Sequence, residues 1–497
     1  MPNVARRTIA VGSLVAVLTS GLAACGSKHS SSGSAPAPTP TASAQQSMGT
    51  GDPYADIRTA AQHMPDIAAT LAAGIAKADS PTASPAPTPK SAAIAGDPDS
   101  AAAGLRAKLS YLLTEHTYLA GLAVATMYHF GPDAEATTKA SNALDANAND
   151  VATLIGTVAP NDKDTFLQSW RQHDTDFVTY AKAAKAGTAA TSAKTAAQRS
   201  LAGYARSAGE FFNKISNDHL SSTLVAQSFT VHISSLTAAI DGLAAGSTDA
   251  FKLLKTAAGH MDDSAAYLAS GIAKSANLPG ETASKASVLR STLTGLLTSH
   301  VYLAGVAVFT AYSTSGATDS PAFQAAGDAL DTNSQDLATQ IGQVAGSANQ
   351  SKFLQTWRKH IDDFVSYAKA DAAKDSSGKS AALADLDAYR SAAGQFFSDI
   401  TGGAIQASAV ADALKDHVQS LAGAIDSLRT AVLDVPVTTP PSFGPVTSSA
   451  EPSESASPTP TATKKSTKKT ATPTPLAPTP TATASPSATA AEIPEPR

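Results

Sequence analysis

A single cysteine, Cys25, stands in the 497 residues of this chain. Without a second one the chain can form neither an internal disulfide nor a zinc site built on cysteines. Aromatic residues make up 5% and charged residues 15%, and the formal net charge is −5. So few stacking rings and so little positive charge argue against nucleic-acid binding. The sequence holds no glycine-rich phosphate loop, no nucleophile elbow and no His-Glu-x-x-His segment, so no catalytic motif marks it as an enzyme. Stretches of alternating β-branched residues are also missing, which removes strands from the expected secondary structure.

Long apolar runs are scarce, and the one at the N-terminus is informative. Arg6 and Arg7 precede an apolar run over residues 9–18, followed by Leu22-Ala23-Ala24-Cys25. A charged start, a short apolar run and small residues before a cut describe a secretory signal over residues 1–24, too short to remain as a spanning helix. No Phe-Leu pair follows the two arginines, which favours the general secretory route over twin-arginine export. The Leu-Ala-Ala-Cys segment resembles the lipobox of bacterial lipoproteins. That resemblance implies lipidation of Cys25, a new N-terminus there, and a place on the outer face of the cell membrane. Residues 25–51 are too poor in large apolar side chains to fold and read as a disordered tether. Residues 436–497 repeat the theme with Pro, Thr, Ser and Ala around Lys464, Lys465, Lys468 and Lys469. They are expected to form a disordered, solvated tail, with contact to acidic cell-wall polymers or another envelope protein as the other reading.

Between the tails the chain repeats itself. Phe166-Leu167-Gln168-Ser169-Trp170-Arg171-Gln172-His173 matches Phe353-Leu354-Gln355-Thr356-Trp357-Arg358-Lys359-His360, and Tyr118-Leu119-Ala120-Gly121 matches Tyr302-Leu303-Ala304-Gly305. The register gives one copy over residues 52–246 and a second over 247–435, with a Pro-rich loop at 80–98 in the first only. A repeat this long exceeds solenoid periods. Alanine-rich segments with apolar residues every three or four positions predict helices, about six per copy. The expected fold is all-α, two tandem helical-bundle domains from an internal duplication. Asp145, Asn147 and Asp150, matched by Asp331, Asn333 and Asp336, read as a polar helix face.

The duplication keeps four histidine pairs: His63 with His260, His116 with His300, His173 with His360, and His232 with His417. Phe166, Trp170, His173, Phe177 and Tyr180 form one helical stripe, which turns His173 toward a core. The same periodicity turns His116 and His232 inward and sets His63 at the edge of a stripe. Inward imidazoles from facing helices suit copper or another transition metal, or haem, with Met64 and Met261 as soft ligands. Asp176 and Asp363, three residues past the helix-four histidines of their copies, are candidate carboxylate ligands or partners. The competing reading is structural: core histidines hydrogen-bonded by Tyr118, Tyr180 or Tyr204. His29, His129 and His219 have no partner in the second copy, and Glu115 faces Ser299, so the copies need not act alike.

Leu112-Leu113-Thr114-Glu115-His116, then Ala143-Leu144-Asp145-x-Asn147, then the Trp170–His173 helix resemble a helical region of secreted bacterial proteins labelled copper amine oxidase-like. The resemblance spans both copies through short motifs. Copper amine oxidases carry a modified tyrosine in an Asn-Tyr-acidic motif and a His-x-His copper pair, and this chain has neither. Amine oxidation is therefore not expected. The sequence reads as a lipid-anchored helical binding or scaffold module at the cell envelope, with binding of copper or haem by the histidines as the alternative.

Overall fold

The computed structural model describes residues 48–79 and 94–435. The signal sequence, Cys25, most of the tether and Pro-rich loop, and the C-terminal tail lie outside the described residues. Those described are all-α, with no strand among them. The first repeat supplies α1 (Pro53–Gln62), α2 (Met64–Ala78), α3 (Ala101–Phe130), α4 (Glu135–Val158), α5 (Lys163–Ala186), α6 (Thr191–Ile215) and α7 (Ser222–Ala245). The second supplies α8 (Asp249–Ser275), α9 (Lys285–Ser313), α10 (Pro321–Ala345), α11 (Ser347–Ala372), α12 (Ser376–Ile400) and α13 (Ala407–Leu428). Each copy thus has six helical spans, the first of them split in copy one. Pro65 explains the split: it has no N–H to continue the ladder, whereas Asp262 holds the matching place and α8 runs through.

Local chemistry sets the helix ends. Ser100, Ser221, Ser284 and Ser320 cap α3, α7, α9 and α10, each hydroxyl accepting a first-turn backbone N–H. Pro321 opens α10, as its fixed φ favours. Both α7 and α9 are long and apolar enough to cross a membrane. The most apolar window of α9 is 83% buried, which is how the central helix of a bundle reads when it is apolar on every side.

Packing does not follow the repeats. α8 lies along α3 and α7 of the first copy, while α1 and α2 lie along α9 and α13 of the second. Leu254 of α8 covers Gly121 of α3, and Ile57 of α1 covers Gly305 of α9. A Cβ at these glycines would stand 2.6 and 2.9 Å from those side chains, so the matched Tyr-Leu-Ala-Gly segments mark two close helix approaches. Polar contacts repeat the arrangement: the Ser228 and Ser264 hydroxyls are 2.6 Å apart, and Ser427 donates to Asp56 at 2.6 Å. The crossing loops also hold one another. Ala102 N–H donates to Pro279 O at 3.0 Å, and Ala286 N–H to Ala95 O at 3.1 Å.

The boundary at residue 246 is therefore a boundary of sequence, and each bundle takes its first helix from the other copy. One apolar core runs through both. A fragment of residues 52–246 lacks α8 and uncovers α3 and α7, whereas residues 94–278 keep α3 to α8 together. The first fragment is expected to show no cooperative thermal transition by circular dichroism, and the second to show one. A monomeric 52–246 fragment that melts cooperatively would contradict the exchange.

Candidate metal centres

Two clusters of three histidines form, one in each bundle. His116 of α3, His173 of α5 and His232 of α7 meet in the first; His300 of α9, His360 of α11 and His417 of α13 meet in the second. In each cluster one nitrogen from every ring lies within 4.8 Å of the other two. The Nε2 atoms of His173 and His116 are 3.4 Å apart, and those of His360 and His300 are 3.3 Å apart. Nitrogens bound about 2.0–2.1 Å from one tetrahedral ion stand about 3.3–3.4 Å from each other, so this pair of nitrogens in each cluster stands at the spacing of two ligands of one ion.

All six rings are buried. His173 Nδ1 pairs with the Trp170 carbonyl, which makes Nδ1–H the donor and leaves the Nε2 lone pair facing His116. Burial, reinforced by the neighbouring imidazoles, pushes His173 and His360 down to about 3 and His232 and His417 down to about 4. His116 and His300 fall well below the usual range for the same reason. At neutral pH six uncharged imidazoles result, the form that binds metal. Trp170 and Trp357 set their edges against these rings, and Tyr204 and Tyr389 stack on His173 and His360 at 4.4 Å.

None of the three tyrosines hydrogen-bonds a triad nitrogen among the described residues: Tyr180 donates to Asp241 at 2.9 Å, Tyr118 stacks on Tyr302 with its hydroxyl unpaired, and Tyr204 stacks its ring on His173. Among the described residues, His116 Nδ1, both ring nitrogens of His232, His300 Nδ1 and His417 Nδ1 have no hydrogen-bond partner. Each such buried atom costs about 1–3 kcal/mol; an ion would relieve a nitrogen of His232 that faces the cluster, but not the Nδ1 atoms of His116 and His300, whose Nε2 atoms face it.

The remaining candidates divide. Met64 lines a cavity of about 20 Å³ with His300, His360 and His417. It therefore serves the second triad, although it belongs to the first copy. His63 acts on His417 and His260 on His232, again across the repeats; both are half-buried and outside the triads. Met261 is buried at the matching place on α8. Asp176 and Asp363 do not join the clusters: Asp176 accepts from Ser200 and Gln172, and Asp363 pairs with Lys359. A 20 Å³ space holds about one water or ion.

One residue escaped the sequence reading and another was misplaced by it. Asp174 Oδ1 lies 3.5 Å from His173 Nε2 and 3.8 Å from His116 Nδ1, without a hydrogen-bond partner. Burial pushes its carboxyl well above the usual range. Ile361 holds the matching position in the second copy, so a search confined to matched residues passes Asp174 over. Asn147 is not on a polar surface: it is buried and donates to Leu112 O at 2.9 Å, as Asn333 does to Leu296 O at 3.1 Å. Each asparagine ties its helix to the turn of α3 or α9 that carries the histidine.

No protein-family model, curated protein or solved structure matches this chain.

Proposed function

We propose that this is a lipid-anchored envelope protein that binds transition-metal ions, one at each histidine triad. The observation that carries this reading is the convergence, in both bundles, of three buried imidazoles with one nitrogen of each within 4.8 Å of the others. Its donor set suits copper or zinc, since neutral imidazole binds both and no thiolate is at hand. Enclosure by aromatic and aliphatic side chains supports holding or handing over an ion more than turning over a substrate, because a catalytic metal keeps an open position. The lipobox-like segment at Cys25 supports attachment to the outer face of the membrane, with the helical bundles carried beyond the tether as a binding module.

Full-length protein purified without chelators and reconstituted with zinc and with copper under a reductant is expected to hold two ions by elemental analysis. Replacing His116 and His173 by Ala is expected to leave one, and replacing His300 and His360 as well to leave none. Absence of bound metal after reconstitution would reject the reading.

A further inference from the structure

The two triads are chemically unequal, and one position makes them so. At Asp174 the first copy places a carboxylate oxygen 3.5 Å from His173 Nε2, buried and without a hydrogen-bond partner. At the matching Ile361 the second copy has an aliphatic side chain, which lines a cavity of about 40 Å³ beside His300. Around the second triad the wall is apolar, with Leu293, Leu297, Phe353 and Trp357 among its members and the Met64 thioether as the only further soft donor. The nearby Asp363 is occupied by Lys359 at 2.8 Å.

These surroundings decide which charge each site tolerates. Three neutral imidazoles leave the full charge of an ion uncompensated. The cost of placing that charge in a low-dielectric interior rises with its square, so a dication costs about four times as much as a monocation. A carboxyl in the ligand sphere that releases its proton as the ion binds removes part of that charge in the first triad. Nothing removes it in the second, where three imidazoles and a thioether are instead the donors that Cu(I) prefers.

We propose that the first centre, His116, His173 and His232 with Asp174, takes a divalent ion, whereas the second, His300, His360 and His417 with Met64, accepts only monovalent copper. This rests on the metal-binding reading above and adds the identity of the ion at each site. The Asp174/Ile361 position is then the residue that sets selectivity.

The test uses purified full-length protein and two probes, zinc chloride alone and Cu(I) supplied under a reductant against a chromophoric Cu(I) chelator. Wild-type protein is expected to bind one Zn²⁺ per chain and, once zinc-loaded, one Cu(I). Asp174→Ile is expected to bring zinc to none while Cu(I) binding persists. Asp174→Ile removes a carboxyl whose buried Oδ1 has no hydrogen-bond partner, so its fold is expected to survive, and the wild-type zinc count is a second measurement that needs no variant. Ile361→Asp is expected to raise zinc to two. Two zinc ions per wild-type chain, or zinc binding indifferent to Asp174→Ile, overturns the proposal while leaving metal binding intact. No binding of either probe rejects the metal-binding reading itself, and this proposal with it.

Discussion

Metal-free protein taken from pH 7 to pH 5 is expected to unfold, with a midpoint at about pH 5–6 by circular dichroism. The unfolded chain takes up protons on its histidines near the ordinary value of about 6.5. In the folded chain burial holds His173 and His360 down to about 3 and His232 and His417 down to about 4, with His116 and His300 lower than usual as well. Folded-state values below unfolded ones mean that this contribution is intact above pH 6.5 and is lost as the pH falls toward 4 and then 3. Each histidine weakens the fold by about 1.4 kcal/mol per pH unit in that window. Six of them over one and a half units amount to about 12 kcal/mol, the size of a whole domain's stability.

Four carboxyls pushed upward by burial, those of Asp174, Asp176, Asp262 and Asp371, act in the opposite sense. They blunt the slope, four groups set against six. A bound ion stabilises the folded state by mass action and moves the transition to lower pH. His232→Leu is expected to move it the same way without metal, because it removes a ring with two unpartnered nitrogens and one source of proton uptake. A metal-free protein that keeps its helical signal and cooperative melt at pH 5 would rule out six neutral buried imidazoles.

Helices and their inward stripes were legible because apolar periodicity and serine caps act locally. The exchange of first helices was not. Ile57 and Leu254 carry similar aliphatic side chains to Gly305 and Gly121, so apolar periodicity alone does not tell the exchanged arrangement from an unexchanged one. Cross-copy hydrogen bonds such as Ala102 N–H to Pro279 O and Ala286 N–H to Ala95 O join residues far apart in sequence, which a local reading does not see. Site residues divided for a related reason. His173 and Phe177 share a helical face, and the same spacing nominated Asp176, whose carboxylate turns instead to Ser200 at 2.6 Å. Asp174 lies about 100° around the helix from His173, off the stripe. It reaches the cluster because the cluster sits between helices, a fact of tertiary packing.

Glu115→Ser, which puts into the first copy the residue that the second carries as Ser299, is expected to cost about 3–5 kcal/mol of stability. Glu115 is fully buried where α3 meets α9. Its Oε1 accepts from Arg58 Nε at 3.3 Å, Tyr111 at 2.9 Å and Tyr302 at 2.9 Å, and its Oε2 from Arg58 Nη2 at 3.1 Å and Asn147 at 2.8 Å. Those donors come from both copies, so one carboxylate joins α1, α3, α4 and α9. The second copy manages with serine because its surroundings differ: Gly295 replaces Tyr111, and Lys255, in place of Arg58, pairs with Asp336 at 2.6 Å. In the first copy a serine would leave the buried Arg58 guanidinium with Asp150 alone, at 2.7 Å, and strand two tyrosine hydroxyls. Chemical denaturation should show the midpoint falling with the slope unchanged. Arg58→Ala should cost at least about 2 kcal/mol less in the Glu115→Ser background than in wild type, since the two side chains act as one unit. A loss below about 1 kcal/mol, or additive costs, would show that the carboxylate does not hold the two copies together.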